Sequence, residues 1–112
     1  MHLTTTETGE PQIIRVEEGR IDSSVAIQFK DGMRELVLPD ARRIVLDLGA
    51  VEFIDSSGLG AIVAAMKAMG SGQRLDLAAL TPVVDKVFRM TRMDTIFVIH
   101  DTVAQARQAE MS

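Results

Sequence analysis

Near the middle of the chain, Asp55-Ser56-Ser57-Gly58-Leu59-Gly60 sets a carboxylate, two adjacent hydroxyls and two glycines where one apolar run stops and another begins. A nucleophilic serine would need the Gly-x-Ser-x-Gly elbow of hydrolases, which the residues around Ser56 and Ser57 do not supply. It would also need a general base, and the two histidines are His2, in a polar N-terminal stretch, and His100, at the end of an apolar run. A Ser56-His100-aspartate triad depends on geometry that composition cannot furnish. A phosphate-cradling loop fares no better, because Val63 stands where the dinucleotide pattern wants a third glycine and no Gly-Lys-Ser/Thr occurs. Asp47, Asp55, Asp76 and Asp101 fall on or near strand ends. Asp47 and Asp76 sit inside their strands and Asp101 suits a helix cap, so too few oxygens converge for Mg²⁺. Neither a metal nor a cofactor is expected.

The plain reading of the six residues is architectural: Ser56 caps the following helix, and Gly58 and Gly60 allow close helix–sheet packing. One cap needs only one hydroxyl, however, and small residues at an exposed strand end also form a flat patch that a kinase could reach. A phosphate on Ser56 or Ser57 would add about −1.5 to −2 charges beside Asp55. The helix start tolerates an anion, so the fold should survive while a partner packed on the same patch is displaced. Residue chemistry alone leaves Ser56 and Ser57 equally open as the modified position.

The elements that must present this patch follow from periodicity. Gln12–Gly19 reads as a strand, preceded by a Thr-rich stretch that is a frayed end or an edge strand over about residues 1–11. Asp22–Leu38 has Val25, Phe29, Met33, Leu36 and Val37 at helical spacing, with Asp22 or Ser23 as its cap and Pro39 ending it. Arg43–Leu48 reads as a central strand. From Ser57 to about Met69, Leu59, Ile62, Val63, Met66 and Met69 make one stripe, stopped by Gly70-Ser71-Gly72. Arg74–Leu80 is a strand with Leu75, Leu77 and Ala79 alternating. Thr81-Pro82 opens a helix that buries Val83, Val84, Val87 and Phe88. Thr95–His100 is a further strand, and Asp101 caps a closing helix that runs to Met111. Strands alternating with helices imply an α/β fold with a mostly parallel sheet, and function in such sheets gathers beyond the carboxyl ends of the strands. Asp55–Gly60 lies at one of those ends.

At 112 residues the expected organisation is one domain with one core. The net charge of −4 disfavours a phosphate backbone as ligand and favours a basic partner surface. With no Tyr or Trp, platforms for stacking bases are largely missing. No cysteine is present, no apolar run reaches spanning length and the N-terminus lacks a secretory h-region, so a cytoplasmic protein without a membrane span is expected.

On these residues the stretch Arg42–Met69 strongly resembles the STAS domain of bacterial anti-sigma factor antagonists, and Glu17-Glu18-Gly19-Arg20-Ile21-Asp22 resembles that family's turn into the first helix. The resemblance implies a single STAS domain, with helices packed mainly on one face of the sheet, that acts by partner switching and has no enzymatic activity of its own. The unphosphorylated form would sequester an anti-sigma factor that is also a serine kinase of the histidine-kinase-like ATPase superfamily. Phosphorylation of the first serine of the motif, Ser56, would release it, and a PP2C-type phosphatase would reset it. Asp22, Asp55, Ser56, Ser57, Gly58, Leu59 and Gly60 would form the partner surface, although Asp22 equally suits a helix cap. Two other outlets for the same domain are an accessory subunit of a lipid-transport ATPase and a stressosome-like scaffold. One departure stands out: Thr91-Arg92-Met93 replaces the family's Ser/Thr-Gly-Leu, placing arginine where a left-handed cap favours glycine. Ile27, off the apolar stripe, is expected to be exposed.

Overall fold

Parallel strands buried on both faces read as continuous apolar runs, and the strand at Arg43–Asp47, β4, is such a run, buried along its whole length. In the computed structural model, which describes residues 1–109, β4 is the middle of a five-stranded sheet. The other members are β1 (Leu3–Glu7), β2 (Gln12–Val16), β6 (Arg74–Ala78) and β7 (Ile99–His100), in the order β1-β2-β4-β6-β7. β1 pairs antiparallel with β2 at one edge, and all other pairs are parallel. The Thr-rich N-terminus is therefore an edge strand.

Three helices, α1 (Ala26–Leu36), α2 (Ser56–Lys67) and α3 (Pro82–Met90), cover one face. Phe29 and Met33 of α1, Leu59, Ile62 and Ala65 of α2, and Val84 and Phe88 of α3 close over Ile14, Leu46 and Leu77. Complete burial of each large side chain contributes about 1.5–3 kcal/mol, so this layer is the main source of stability. The short α4 (Val103–Gln108) lies on the opposite face, where Ala106 meets Ile13, Val45 and Ala78. The mostly parallel sheet with helices mainly on one face is as the sequence implied.

Several local expectations are corrected. Helix α1 begins at Ala26 with Val25 as an uncapped N-terminal residue, because Asp22 closes a turn of its own before the helix starts. Val83 is 60% exposed: the buried stripe of α3 centres on Val84 and Phe88, and Val83 is rotated about 100° from Val84. Thr81 does precede Pro82 at the start of α3, but its hydroxyl donates to the Val51 carbonyl at 2.9 Å instead of capping. The strand expected over Thr95–His100 shortens to Ile99–His100, since the amides of Ile96 and Phe97 bond to the Met93 carbonyl and hold a 3₁₀ turn over Met93–Thr95. Thr102, not Asp101, caps α4 by accepting the Gln105 amide at 3.0 Å. That helix ends at Gln108 with Ala109 extended (ψ 138°), short of the expected Met111; residues 110–112 lie outside the described residues. Arg92 does take the left-handed conformation, with φ 63°, and its carbonyl accepts the Thr95 amide and hydroxyl, which tie it into the following turn.

Candidate functional site

Two strands of two residues each build the corner that carries the serines. β3 (Arg20–Ile21) and β5 (Phe53–Ile54) form a separate parallel pair with Ile21 opposite Ile54. Asp22 and Asp55 therefore follow equivalent positions on paired strands, one leading toward α1 and the other into α2. Short strands with no alternation give almost no sequence signal, and this pair was not foreseen. It is nevertheless what brings Asp22 and the serine motif together.

Asp55 is the N-cap of α2: its backbone is extended and its Oδ1 accepts the Gly58 amide at 2.8 Å. The cap reading of Ser56 is thus corrected by one residue. Ser56 is the first residue of the helix and Ser57 the second; both are exposed. Because the carboxylate does the capping, the hydroxyls are released from that duty. Asp22 accepts the Ser24 amide at 3.0 Å and the Ser24 hydroxyl, and pairs with Arg20 at 2.9 Å. The bond from the Ser24 hydroxyl is the main cause that holds the Asp22 carboxyl below its ordinary range, with Arg20 adding to it, so Asp22 is ionised at neutral pH.

The two glycines have different reasons. A Cβ on Gly58 would come within 2.1 Å of the Ile21 carbonyl oxygen and 2.8 Å of Ile54 Cγ1, so only glycine lets α2 seat against β3 and β5. Gly60 is exposed and a Cβ there would meet nothing within 4 Å. The packing role expected for both belongs to Gly58 alone, and Gly60 keeps the outer face of the helix low. Within the partner surface expected at Asp22 and Asp55–Gly60, Leu59 and Gly58 are buried and position the corner. The accessible members are Ser56, Ser57 and Gly60, with Asp22 and Asp55 half-buried beside them. Sequence reasoning also missed Phe53, 44% exposed with the Arg20 guanidinium 5.1 Å over its ring. Its place one residue before the Ile54 that anchors the corner was the available signal. Ile27 is exposed, as expected.

The other chemically capable residues gather elsewhere. Asp76, fully buried on β6, accepts from Arg43 Nε at 3.1 Å and Arg74 Nε at 2.9 Å and lies 3.0 Å from His100 Nε2. Burial by itself would raise the Asp76 carboxyl; the bonds from Arg74, His100 and Arg43 outweigh it and hold the group below its ordinary range. Arg43 also donates to the carbonyls of Ala106 and Ala109, so the cluster pins α4 to the back of the sheet. His100 is thereby committed to Asp76 on the face away from α2, and His2 pairs with Glu17. Among the described residues no Ser-His-Asp triad is assembled around Ser56. Asp47 is taken by Arg15 at 3.0 Å, and among the described residues no group of three or more His, Cys, Asp or Glu converges as metal ligands. Nor is any described helix long and apolar enough to cross a membrane.

Known proteins share this fold. A family model described as the STAS domain matches residues 2–106. BtrV of Bordetella bronchiseptica, whose name places it among the anti-sigma factor antagonists, is 31% identical over 106 residues, spanning 94% of this chain and 88% of BtrV. The crystal structure of an anti-sigma factor antagonist from Mycobacterium paratuberculosis agrees with a TM-score of 0.79 at 25% identity, covering 94% of this chain and 91% of that one. The Bacillus protein SpoIIAA has the same fold in its unphosphorylated form (TM-score 0.72, 23% identity, 94% and 90% covered) and its phosphorylated form (0.65, 22%, 94% and 94%). With a family model matched over residues 2–106 and a relative 31% identical across 94% of the chain, the chain belongs to the STAS domain family.

Proposed function

We propose that this chain is an anti-sigma factor antagonist that works by partner switching. Its unphosphorylated form binds an anti-sigma factor that is also a serine kinase of the histidine-kinase-like ATPase superfamily, and phosphate on Ser56 breaks the complex. A PP2C-type phosphatase restores the binding form. The observation that carries this reading is the exposed Ser56 hydroxyl on the first residue of α2, relieved of capping by Asp55 and set on a corner clamped by Gly58. Such a position accepts about −1.5 to −2 charges without unfolding, because the helix start favours anions, while a partner seated on Ser56, Ser57 and Gly60 has to move. The names of its relatives support the regulatory role, and a fold held in common with both forms of SpoIIAA supports modification without refolding.

The test pairs Ser56→Ala and Ser56→Asp against the candidate kinase in calorimetry, with mass spectrometry of the chain after incubation with kinase and ATP. Ser56→Ala is expected to bind constitutively and take no phosphate, and Ser56→Asp to bind at least about tenfold more weakly, the effect of losing about 1.4 kcal/mol. Equal affinity of the two variants, or phosphate on Ser57 in the parent protein, rejects the assignment.

A further inference from the structure

A second site lies at the other end of α2, about 18 Å from Ser56 along the axis at about 1.5 Å per residue. Between the C-terminal halves of α1 and α2 a groove of about 330 Å³ is open to solvent, within the range of about 300–1,000 Å³ that small-molecule pockets occupy. It exists because Ala64 and Ala65 of α2 and Ala68, just past its end, line that side, and a methyl group does not reach across to α1. Met33 of α1, Val37 just past its end and Met69 complete an apolar wall. The flexible thioether chains can adapt to an occupant.

Polar groups at the end of the groove are already paired. The Gln73 amide donates to the carbonyls of Leu38 and Ala41 at 3.0 and 2.7 Å, and its oxygen accepts the Gly70 amide at 2.9 Å. With Gln73, the uncharged polar side chain lining the groove, already paired, the alanine and methionine wall favours an apolar inner part of a guest. The charged side chains that line the groove are both cations, Lys30 and Arg34, four residues apart on α1. Arg34 reaches Asp31 only at 3.5 Å, with both side chains more than half exposed, a contact that water screens. In a chain of net charge −4, this is an apolar slot with a cationic rim.

We infer that the groove binds an anionic amphiphile: a medium-chain carboxylate with its head between Lys30 and Arg34 and its tail along the alanine and methionine wall. This site is independent of the switching role proposed for Ser56.

Calorimetric titration of the full chain with decanoate below its micellar concentration tests this, with decanol and decyltrimethylammonium in parallel. Decanoate is expected to bind about tenfold more tightly than the cation of equal tail length, and each methylene removed from its tail to cost about fourfold. Lys30→Glu, at the rim, should weaken decanoate several-fold, with the loss shrinking in high salt. Ala68→Leu, which fills the groove from an exposed position, should abolish binding, with the thermal midpoint of both variants confirming that they fold. Absence of saturable decanoate binding, equal affinity for the three head groups, or undiminished binding by folded Ala68→Leu overturns the inference. So does a dimer in sedimentation that Ala68→Leu dissolves, since the occupant would then be a second copy of this chain.

Discussion

Asp55, at the head of α2, and Asp76, on β6, are both carboxylates held by the fold, and their surroundings teach opposite lessons. Asp76 is buried, accepts from two arginines and touches a histidine, and through Arg43 fastens α4 to the sheet. One carboxylate there is shared by two guanidinium groups and a ring nitrogen, so the cluster is a structural knot despite looking more reactive. Asp55 spends itself on one helix amide and leaves two serine hydroxyls beside it in solvent. Concentrated titratable groups mark the region that holds, while spare hydroxyls on small residues mark the region free to be modified.

The sharpest way to break this contrast is at Asp76. Asp76→Ala strands Arg43 with its side chain 4% exposed, and removing one partner of a buried pair costs about 3–5 kcal/mol. Urea denaturation should show this loss at neutral pH. Because the folded carboxyl is held below its ordinary value, its contribution is fully present above about pH 3.9 and is lost as pH falls through the lower folded value. The stability gap between parent and variant should therefore narrow only in strong acid. A gap that closes between pH 7 and 5 would show that another group carries the knot.

At the serine corner the largest expected effect comes from a methyl group. Gly58→Ala drives a carbon against the Ile21 carbonyl, and overpacking of this kind costs about 1–3 kcal/mol. Thermal unfolding should register it, whereas Gly60→Ala, with nothing within 4 Å of the new carbon, should not destabilise. Asp55→Ala removes the cap and should cost about 1 kcal/mol. If Asp55→Ala proves neutral, one of the serines has taken over the cap and is not a spare hydroxyl.

Much of this contrast was legible in the residues, and the parts that were not share a cause. The stripes of α1 and α2 and the apolar run of β4 announce themselves by period, and the motif Asp55–Gly60 identifies its own strand end. The pair β3 and β5 was invisible because two residues cannot establish an alternation. The cap positions of α1, α2 and α4 were each misplaced because Asp, Ser and Thr are interchangeable as candidates, and neighbouring contacts choose between them. Ala61 and Ala65 were left out of the α2 stripe, yet both are buried, since small residues carry little hydrophobic signal. Arg92 illustrates the converse: intrinsic preference argues against a left-handed arginine by about 1–2 kcal/mol, and the surrounding turn imposes that conformation anyway.

The smallest expected change in stability is the one on which the functional reading leans most. Ser56 contributes no cap and no core contact, so Ser56→Ala should change the unfolding free energy measured in urea by no more than about 0.5 kcal/mol. A charge in its place meets two opposed fields: the helix start attracts an anion by about 0.3–1 kcal/mol, and Asp55, one residue away, repels it. The near cancellation predicts that Ser56→Asp also stays within about 1 kcal/mol of the parent. A switch that acts on a partner requires this indifference. Were Ser56→Asp to lose more than about 2 kcal/mol, phosphate would act by loosening α2 itself, and the corner would belong with Asp76 among the parts that hold the fold.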